Sequence, residues 1–476
     1  MTEVHYFPYL KYNWISDDSR VHACAQMLSS ERSANNNPLR NRSLDLSEAF
    51  NVILTSLEVC LGYNPNGSIY IAKDKNIYTG KYRRSASYTR EVRSALDFLI
   101  EQQYLLLVTG ITKTKDKDGK PHWRPARYKL SEKWRSVIGD TPLSDPKLIR
   151  RNPLSAYVDL RHKFDGKSKS LNISSEIYAH NQELIENTTA LLRQYDELMR
   201  TVKIKAPWGD VYSARTSMTR IFNDGSFDLG GRFYCPIQSL KKEARRSLTF
   251  NGDPVVEIDY SSIHPNLLYQ LNFCQFLTPS ESDDHYQYRT GDENKRDLVK
   301  RVFNLLLNRT GTKESEISSI MYHCKITLEE AVDLRNWVYE LHEPIAHLFG
   351  KGQGIRLQRT DSDIAFKVIE WFVKNNRPIV MIHDSALVSI RDTENLKLLM
   401  YESYQEVVER FNADAKLKGL KVEAGNLSEQ LEEAIVNCMN GNTEGFTQSY
   451  WDELISQYHS YTESEEQLTD DLEEDL

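Results

Sequence analysis

Two acidic residues stand where apolar runs give way to polar ones, and carboxylates in such positions can bind divalent metal ions. Asp259 follows the β-branched run that begins at Val255, which predicts a buried strand. Asp384 lies between two further apolar runs, which predicts a hairpin with the acid in its turn. A carboxylate at the end of a buried strand is costly unless something pairs with it. Two such acids could hold two ions about 3.5–4 Å apart, the geometry of in-line phosphoryl displacement.

Each acid by itself has a simpler interpretation, because an Asp after a strand is commonly a turn residue or a helix N-cap. The functional interpretation therefore depends on the pair and on the residues between them. Arg296 and Lys300 are four residues apart on a predicted helix and share one face. Two cations near metal-binding acids suit the phosphates of a nucleoside triphosphate. Taken alone, the same spacing is typical of an ordinary solvated face.

Length and composition predict a globular protein of the cytoplasm. The 476 residues are 40% hydrophobic and 27% charged, which is enough for two or three domains with a large core. No run of about 18 apolar residues appears, and the N-terminus lacks the features of a signal peptide. The six cysteines form no C-x-x-C pair, which argues against a zinc module or a disulfide framework. We expect no membrane partner.

The net charge of −8 is distributed unevenly along the chain. From Val422 to Leu476 there are 15 acidic residues and no basic one, so the remainder carries a net charge of +7. A mildly basic body suits phosphate binding. The acidic end is predicted to be a disordered, solubilising tail. The alternatives are that it imitates nucleic acid and competes for a basic channel, or that it binds a protein partner.

The N-terminal third shows the order of a winged-helix module. Helical spacing from Ser47 to Tyr63, and again after a plausible N-cap at Thr89, is followed by two strand-like runs joined by a basic loop. Helix, helix and hairpin in this order are typical of a nucleic-acid-binding winged helix. Arg90 and Arg93 lie on the polar face of the second helix and are the predicted DNA contacts. A protein-contact module or an ordinary α+β lobe would have the same order.

Five short motifs between Gly230 and Ile390, about a third of the chain, resemble those of family A DNA polymerases and the related phage-type single-subunit RNA polymerases. They occur in the order found in that family. The matching residues are Gly231-Arg232, Gln238 and Arg246 before the first acid, Asp259 to His264, Arg296 and Lys300, Gln358 to Ile364, and His383-Asp384-Ser385.

The resemblance implies an α+β fold: a right-hand polymerase palm with an antiparallel sheet and helical fingers, preceded by an N-terminal winged-helix-like domain. The expected domains are a winged-helix-like nucleic-acid-binding domain at 1–140, a linker and helical thumb-like region at 141–220, the palm and fingers at 221–440, and the acidic C-terminal tail at 441–476.

The resemblance also implies roles for individual residues. Asp259 and Asp384 would hold two Mg²⁺ ions, or Mn²⁺, with the backbone carbonyl of Tyr260, and Lys300 would protonate the pyrophosphate that leaves. The residues implied in nucleotide binding are Arg296, Lys300, His264, Asn304 and Asn308. Those implied in nucleic-acid binding are Arg232, Gln238, Arg246, Gln358 and His383.

Three departures from the family pattern bear on the substrate. His264 stands where the DNA enzymes usually have Glu and the RNA enzymes Gly; its bulk favours deoxynucleotides, although its ring can also hydrogen-bond a hydroxyl. Ser385 matches the RNA enzymes, and Asn308 replaces a stacking Tyr. We expect a template-directed DNA polymerase that acts on a DNA or RNA template-primer with nucleoside triphosphates. An RNA polymerase or primase is the alternative, and a non-catalytic DNA-binding replication or regulatory protein is the second.

Overall fold

The computed structural model describes residues 10, 12–35, 45–61, 68–71, 82–83, 89–115, 121–139, 144–153, 155–164, 167–207, 209–274, 284–289, 293–409 and 417–420. The predicted acidic tail at 441–476 lies outside these residues. The chain is a mixed α+β structure with antiparallel sheets. In its first half the elements are β1 (Trp14–Ser16), α1 (Ser19–Asn35), α2 (Leu46–Leu61), β2 (Ser68–Ile71), β3 (Tyr82–Arg83), α3 (Arg90–Glu101), β4 (Leu105–Thr109), β5 (Thr112–Lys115), β6 (Pro121–Arg124), β7 (Ala126–Leu130), α4 (Glu132–Val137), β8 (Ile149–Arg151), β9 (Val158–Phe164), β10 (Lys167–Leu171), α5 (Ser175–His180) and α6 (Gln182–Arg200).

The second half contains the strands and helices that carry the motifs. They are β11 (Ile204–Ala206), β12 (Gly209–Val211), β13 (Thr219–Phe222), β14 (Gly230–Tyr234), α7 (Lys242–Arg246), β15 (Thr249–Phe250), β16 (Asp253–Tyr260), α8 (Ile263–Leu271), α9 (Glu293–Asn308), α10 (Lys313–Cys324), α11 (Leu328–Leu341), α12 (Gly354–Lys374), β17 (Ile379–Ile382), β18 (Ser385–Ser389), α13 (Thr393–Val408) and β19 (Leu417–Leu420).

The chain divides into two compact units. Unit 1 comprises Met1–Thr219, Cys235–Pro254 and Asn376–Pro378, and unit 2 comprises Arg220–Tyr234, Val255–Asn375 and Ile379–Leu476. Within the described residues, no helix combines the length and the apolar character that a membrane span requires.

Unit 1 has a core built around α2, which is buried along nearly its whole length. Apolar residues of α1, α3 and the antiparallel sheet β2–β7–β4 pack against this helix. The α3 helix begins where its sequence predicts, because the Thr89 side chain accepts a hydrogen bond from the backbone N–H of Val92. The helices α2 and α3 and the strands β4 and β7 lie where the sequence predicts two helices followed by two strands. The helix α1 and the strands β2 and β3 were not predicted, and β5 and β6 lie in the segment that was predicted to be a basic loop.

Unit 2 contains, as neighbours, the strand that carries Asp259 and the hairpin whose turn carries Asp384. The central strand β16 pairs antiparallel with β18 on one side and with β19 on the other, and β18 in turn pairs with β17. All four residues of β17 and all five of β18 are buried. The apolar residues Ile379 to Ile382 and Ala386 to Val388 account for most of these positions. The long helix α12 buries the apolar stripe that includes Leu357, Ile364 and Phe372.

A Gly-Gly pair begins β14. Both glycines have a left-handed backbone, with φ of +77° at Gly230 and +84° at Gly231, which glycine adopts without strain. A Cβ on Gly231 would lie 2.8 Å from Oγ of Ser362 on α12 and 2.9 Å from Phe222. The absent side chain therefore allows β14 to lie close to α12, and this closeness positions the next residue, Arg232.

Candidate functional site

The strand register brings the two predicted catalytic acids to one end of a strand pair. Asp259 on β16 lies directly opposite Ser385 on β18, and opposed residues of antiparallel strands have Cβ atoms about 4.5–5.5 Å apart. Asp384 precedes Ser385 and is the second residue of the two-residue turn between β17 and β18. His383, the first, adopts φ of +61°. Both acids are half-buried, so each carboxylate lies at the border of the core.

A third acid, Glu257, lies two residues before Asp259 and is buried at 3% exposure. Because strand residues two apart point to the same side, Glu257 and Asp259 share one face of β16. The hydroxyl of Ser385 donates to Oε1 of Glu257 over 3.0 Å. Ser385 lies directly opposite Asp259, and its hydrogen bond to Glu257 joins the turn that carries Asp384 to β16. Glu257 belongs to none of the sequence motifs, although the i, i+2 spacing of two acids on a predicted strand is a signal that could have identified it.

Arg232, His264 and Asp361 form a compact charged cluster. Asp361 on α12 accepts from Nε of Arg232 at 3.1 and 3.2 Å and also from its Nη2. His264 Nε2 lies 3.0 Å from Oδ2 of the same carboxylate and 3.2 Å from the Arg232 guanidinium. The Asp361 side chain is only 2% exposed. The buried carboxylate of Asp361 therefore holds both Arg232, which the sequence predicts to bind nucleic acid, and His264, which it predicts to bind the nucleotide.

The charge of Asp384 also acts on Arg232. Burial acts to lower the pKa of Arg232, but the carboxylates of Asp361 and Asp384 outweigh it and the pKa is raised. The guanidinium therefore remains charged, and it lies within electrostatic reach of one of the two predicted metal-binding acids. Such a cation can hold an anionic group next to the acids without competing for a metal ion.

Tyr286 joins the predicted nucleotide helix to this region. Its buried ring lies 5.5 Å from the guanidinium of Arg296 and 5.6 Å from Nζ of Lys300, measured to the ring centroid. Burial, together with the negative charges of Asp284 and Asp384, raises the pKa of Tyr286 to about 12, although a hydrogen bond with Ser262 opposes this change. Tyr286 is thus a neutral phenol whose ring lies near both cations and whose pKa is raised in part by the charge of Asp384.

The two cations of α9 differ in their partners. Arg296 forms a bidentate ion pair with Asp284, at 2.6 Å from Nε and 2.8 Å from Nη2. Lys300 is exposed, and its described contact is with the Tyr286 ring. Arg296 would have to exchange Asp284 for a phosphate in order to bind one, whereas Lys300 needs no such exchange. Asp284 belongs to none of the sequence motifs, because only the folded chain brings it next to Arg296.

The remaining predicted residues of unit 2 occupy varied environments. Tyr260 is buried and its hydroxyl donates to the carbonyl of Met400 at 2.6 Å. Asn308 donates to the carbonyl of Asn304 at 2.8 Å, so these two residues occupy successive turns of α9. Gln358 is half-buried on α12, and His383 is exposed with its ring 5.5 Å from that of Tyr234.

Four predicted nucleic-acid contacts belong to unit 1. Gln238 accepts from the backbone N–H of Cys235 at 3.3 Å, and Arg246 is buried at 9% exposure. Arg90 is exposed at the start of α3, while Arg93 is half-buried and lies 3.6 Å from Asp97. The predicted contacts of the nucleic acid are therefore divided between the two units.

The donor set at the two acids suits a hard cation. Among the described residues, no group of three or more His, Cys, Asp or Glu side chains is arranged to hold a metal ion. Mg²⁺ is commonly bound by one or two carboxylates while substrate phosphates and water supply its other ligands. Asp259 and Asp384 match that pattern, since all their donor atoms are oxygens and they share one end of a strand pair.

The comparisons with known proteins found similarity to solved structures. No protein-family model matches the chain, and no curated protein matches it. The polymerase domain of Pol1 from M. smegmatis, solved in complex with DNA primer-template and dNTP, aligns with a TM-score of 0.30 and 12% identity over 86% of this chain. The chain covers 66% of that structure, which is just under two thirds of its length. The function is therefore inferred from this chain's own residues.

Proposed function

We propose that the chain is a template-directed nucleotidyltransferase that adds deoxynucleotides to a primer 3′-hydroxyl. The observation that carries the proposal is the register of β16 and β18, in which Asp259 faces Ser385, the neighbour of Asp384. Two half-buried carboxylates at one end of a strand pair, with Arg232 and Lys300 in the same unit, form a site for a metal-bound polyphosphate.

Asp259 and Asp384 are the proposed ligands of Mg²⁺, together with the backbone carbonyl of Tyr260. Bound there, the two ions would lower the pKa of the primer hydroxyl and neutralise the triphosphate. Lys300 is proposed to neutralise the phosphates and to give a proton to the leaving pyrophosphate. Arg296 is proposed to bind the triphosphate after releasing Asp284, so that nucleotide entry breaks the ion pair seen here.

His264 is the proposed determinant of sugar preference. Its ring is held by Asp361 at 3.0 Å and by Arg232 at 3.2 Å, so it cannot turn aside without breaking two contacts. A fixed ring next to the sugar would exclude a 2′-hydroxyl by its bulk. His264→Gly should therefore raise incorporation of ribonucleotides relative to deoxynucleotides.

Duplex contacts are proposed for each unit by itself. Arg232, Gln358 and His383 of unit 2 and Gln238 and Arg246 of unit 1 are the expected duplex contacts. On α3, the exposed Arg90 and Arg93 are proposed to reach phosphates, since arginine side chains that lie along a duplex position the protein on it.

Primer extension tests the proposal. Wild type would be given dNTPs or NTPs on DNA and on RNA templates, each with Mg²⁺ or with EDTA. Asp259→Asn and Asp384→Asn should each lower incorporation by about a thousandfold or more, corresponding to ~4 kcal/mol of lost transition-state stabilisation. Duplex binding should remain close to wild type.

Asp228→Asn is the matched control, because this exposed residue of unit 2 lies outside the proposed site. It should extend primers as wild type does. Extension only with NTPs would favour the RNA polymerase or primase alternative. Retained extension in either catalytic variant, or duplex binding without metal-dependent extension by the wild type, would contradict the proposed activity.

A further inference from the structure

A short irregular segment, residues 284–289, lies against the predicted nucleotide helix α9 in unit 2. The helix α11 and the residue that follows it hold this segment. Nε1 of Trp337 donates to the carbonyl of Gln287 at 2.9 Å, and Nε2 of His342 donates to the carbonyl of His285 at 2.9 Å. Because both hydrogen bonds are made to backbone atoms, they fix the course of the chain through the segment.

The side chain of Tyr286, in the middle of this segment, packs against three residues of α9. Tyr286 is only 4% exposed, and its ring meets that of Phe303 edge to face with the centroids 5.8 Å apart. The guanidinium of Arg296 and Nζ of Lys300 lie 5.5 and 5.6 Å from the Tyr286 centroid. At such distances the negative face of an aromatic ring attracts a cation. One ring therefore contacts both cations that the sequence assigns to the nucleotide.

The hydroxyl of Tyr286 reaches the part of unit 2 that carries the predicted metal-binding acids. It forms a hydrogen bond with the side chain of Ser262, which lies three residues after Asp259. Ser262 adopts a left-handed backbone with φ of +56° and is the N-cap residue of α8. The charge of Asp384 also acts on this phenol. Tyr286 thus joins α9, through its ring, to the turn that follows Asp259, through its hydroxyl.

The two cations depend on Tyr286 to different degrees. Arg296 is held separately by its bidentate ion pair with Asp284. Lys300 is exposed, and its described contact is with the Tyr286 ring. A neutral ring attracts an ammonium group without neutralising it, so Lys300 keeps its full charge for a phosphate. A carboxylate in the same place would first have to be displaced.

We propose that Tyr286 is the positioning residue for Lys300. Its ring holds the ammonium group where the triphosphate arrives, and its hydroxyl, bonded to Ser262, sets the position of the ring relative to Asp259. Without this contact the lysine side chain would occupy many rotamers, and ordering it when the nucleotide binds would cost affinity. The inference rests on the proposed nucleotidyl transfer, because it names what holds one cation of that reaction in place.

Equilibrium titration of dATP tests the inference without requiring a bond to form. The full chain would be bound to a dideoxy-terminated primer-template whose next template base is thymine, with Mg²⁺ present. Tyr286→Leu should weaken dATP binding by about three- to tenfold because the ring is lost, whereas Tyr286→Phe keeps the ring and should weaken it by about twofold at most. In a Lys300→Met chain, Tyr286→Leu should cause no further loss, because no ammonium group remains to be positioned.

Pentafluorophenylalanine in place of Tyr286 provides a second test, which stands even if Tyr286→Leu does not fold. It keeps the aromatic ring but removes the negative charge of its face. It should weaken dATP binding by about threefold or more relative to Tyr286→Phe, and only where Lys300 is present. Equal dATP binding by the two aromatic variants would overturn the inference. So would a loss in the Lys300→Met chain as large as that in the wild-type chain.

Tyr339→Leu is the matched control. Its ring lies 4.0 Å from the guanidinium of Arg335 in the same unit, and neither residue belongs to the proposed site. It should leave dATP binding within about twofold of wild type, and a loss equal to that of Tyr286→Leu would contradict the inference. If wild type binds dATP and extends primers while the aromatic variants bind alike, this inference alone fails. If wild type neither binds dATP nor extends primers, the proposed function fails with it.

Discussion

At the scale of single residues, Asp361 holds two of the predicted site residues, although no sequence motif gave it a role. It is almost fully buried and bonds both Arg232 and His264. Removing one member of such a pair leaves the other charge buried and uncompensated. The positions of Arg232 and His264 therefore depend on one carboxylate that is more than 90 residues away in sequence.

We predict that Asp361→Asn lowers the free energy of unfolding by about 3 kcal/mol and also reduces the preference for deoxynucleotides. Urea denaturation measures the first effect and primer extension the second. Glu370→Gln on the same helix is the control, since its pair with Lys374 is exposed and should cost under ~1 kcal/mol. Equal losses in the two variants would show that Asp361 has no special structural role.

A second residue-scale prediction concerns the buried His342. Burial lowers its pKa from 6.5 to about 3, and the hydroxyl of Tyr269 lies 3.0 Å from its Nδ1. Between those two pH values the unfolded chain binds a proton that the folded chain does not. The free energy of unfolding should therefore fall as pH decreases below about 6.5, by up to ~1.4 kcal/mol per pH unit from this group.

Urea denaturation at about pH 7 and about pH 5 would measure this slope. His342→Gln should show a smaller loss between the two pH values than wild type, because glutamine does not titrate. His323→Gln changes an exposed histidine and should retain the wild-type slope. An unchanged slope in His342→Gln would show that the buried ring does not contribute.

At the scale of elements, sequence patterns located β16, α9, α12 and the hairpin of β17 and β18, whereas α10, α11 and α13 were not predicted. The apolar runs around His383 and Asp384 predict the hairpin of β17 and β18, and the stripe from Ile364 predicts α12, which begins ten residues earlier at Gly354. Periodicity predicts such segments because the spacing of apolar residues shows which face of a helix or strand is buried.

Pairings between distant elements could not be predicted in the same way. Asp284 with Arg296, Asp361 with Arg232, and Ser385 with Glu257 all join residues whose separation in sequence has no fixed period. Each pair exists because the fold places two elements side by side. The acids and cations of the motifs were visible in sequence, whereas the groups that hold them in place were not.

The close approach of β14 to α12 yields a prediction about Gly231. Alanine there would combine a left-handed φ with contacts of 2.8 and 2.9 Å, so Gly231→Ala should lower the free energy of unfolding by about 1–3 kcal/mol and reduce primer extension through displacement of Arg232. Gly110→Ala, where a Cβ meets nothing within 4 Å, is the control. Thermal unfolding that shifts equally in both variants would contradict the packing argument.

At the scale of the whole molecule, charge distribution gives a prediction about nucleic-acid affinity. Residues 441–476 contain 11 acidic residues and no basic one. Deleting them should raise affinity for a primer-template a few-fold at low salt, because a polyanionic segment opposes phosphate binding electrostatically. The difference should disappear at high salt, where such interactions are screened. A salt series of binding isotherms measures this, and a gain that persists at high salt would contradict the electrostatic explanation.

The central claim is that the carboxylates of Asp259 and Asp384 face a shared metal position. Anomalous diffraction from crystals grown with Mn²⁺, a primer-template and a non-hydrolysable dNTP tests it most directly. We predict an anomalous peak in contact with oxygens of both Asp259 and Asp384 and with the triphosphate. A peak that contacts only one of the two acids, or none near either, would contradict the claim.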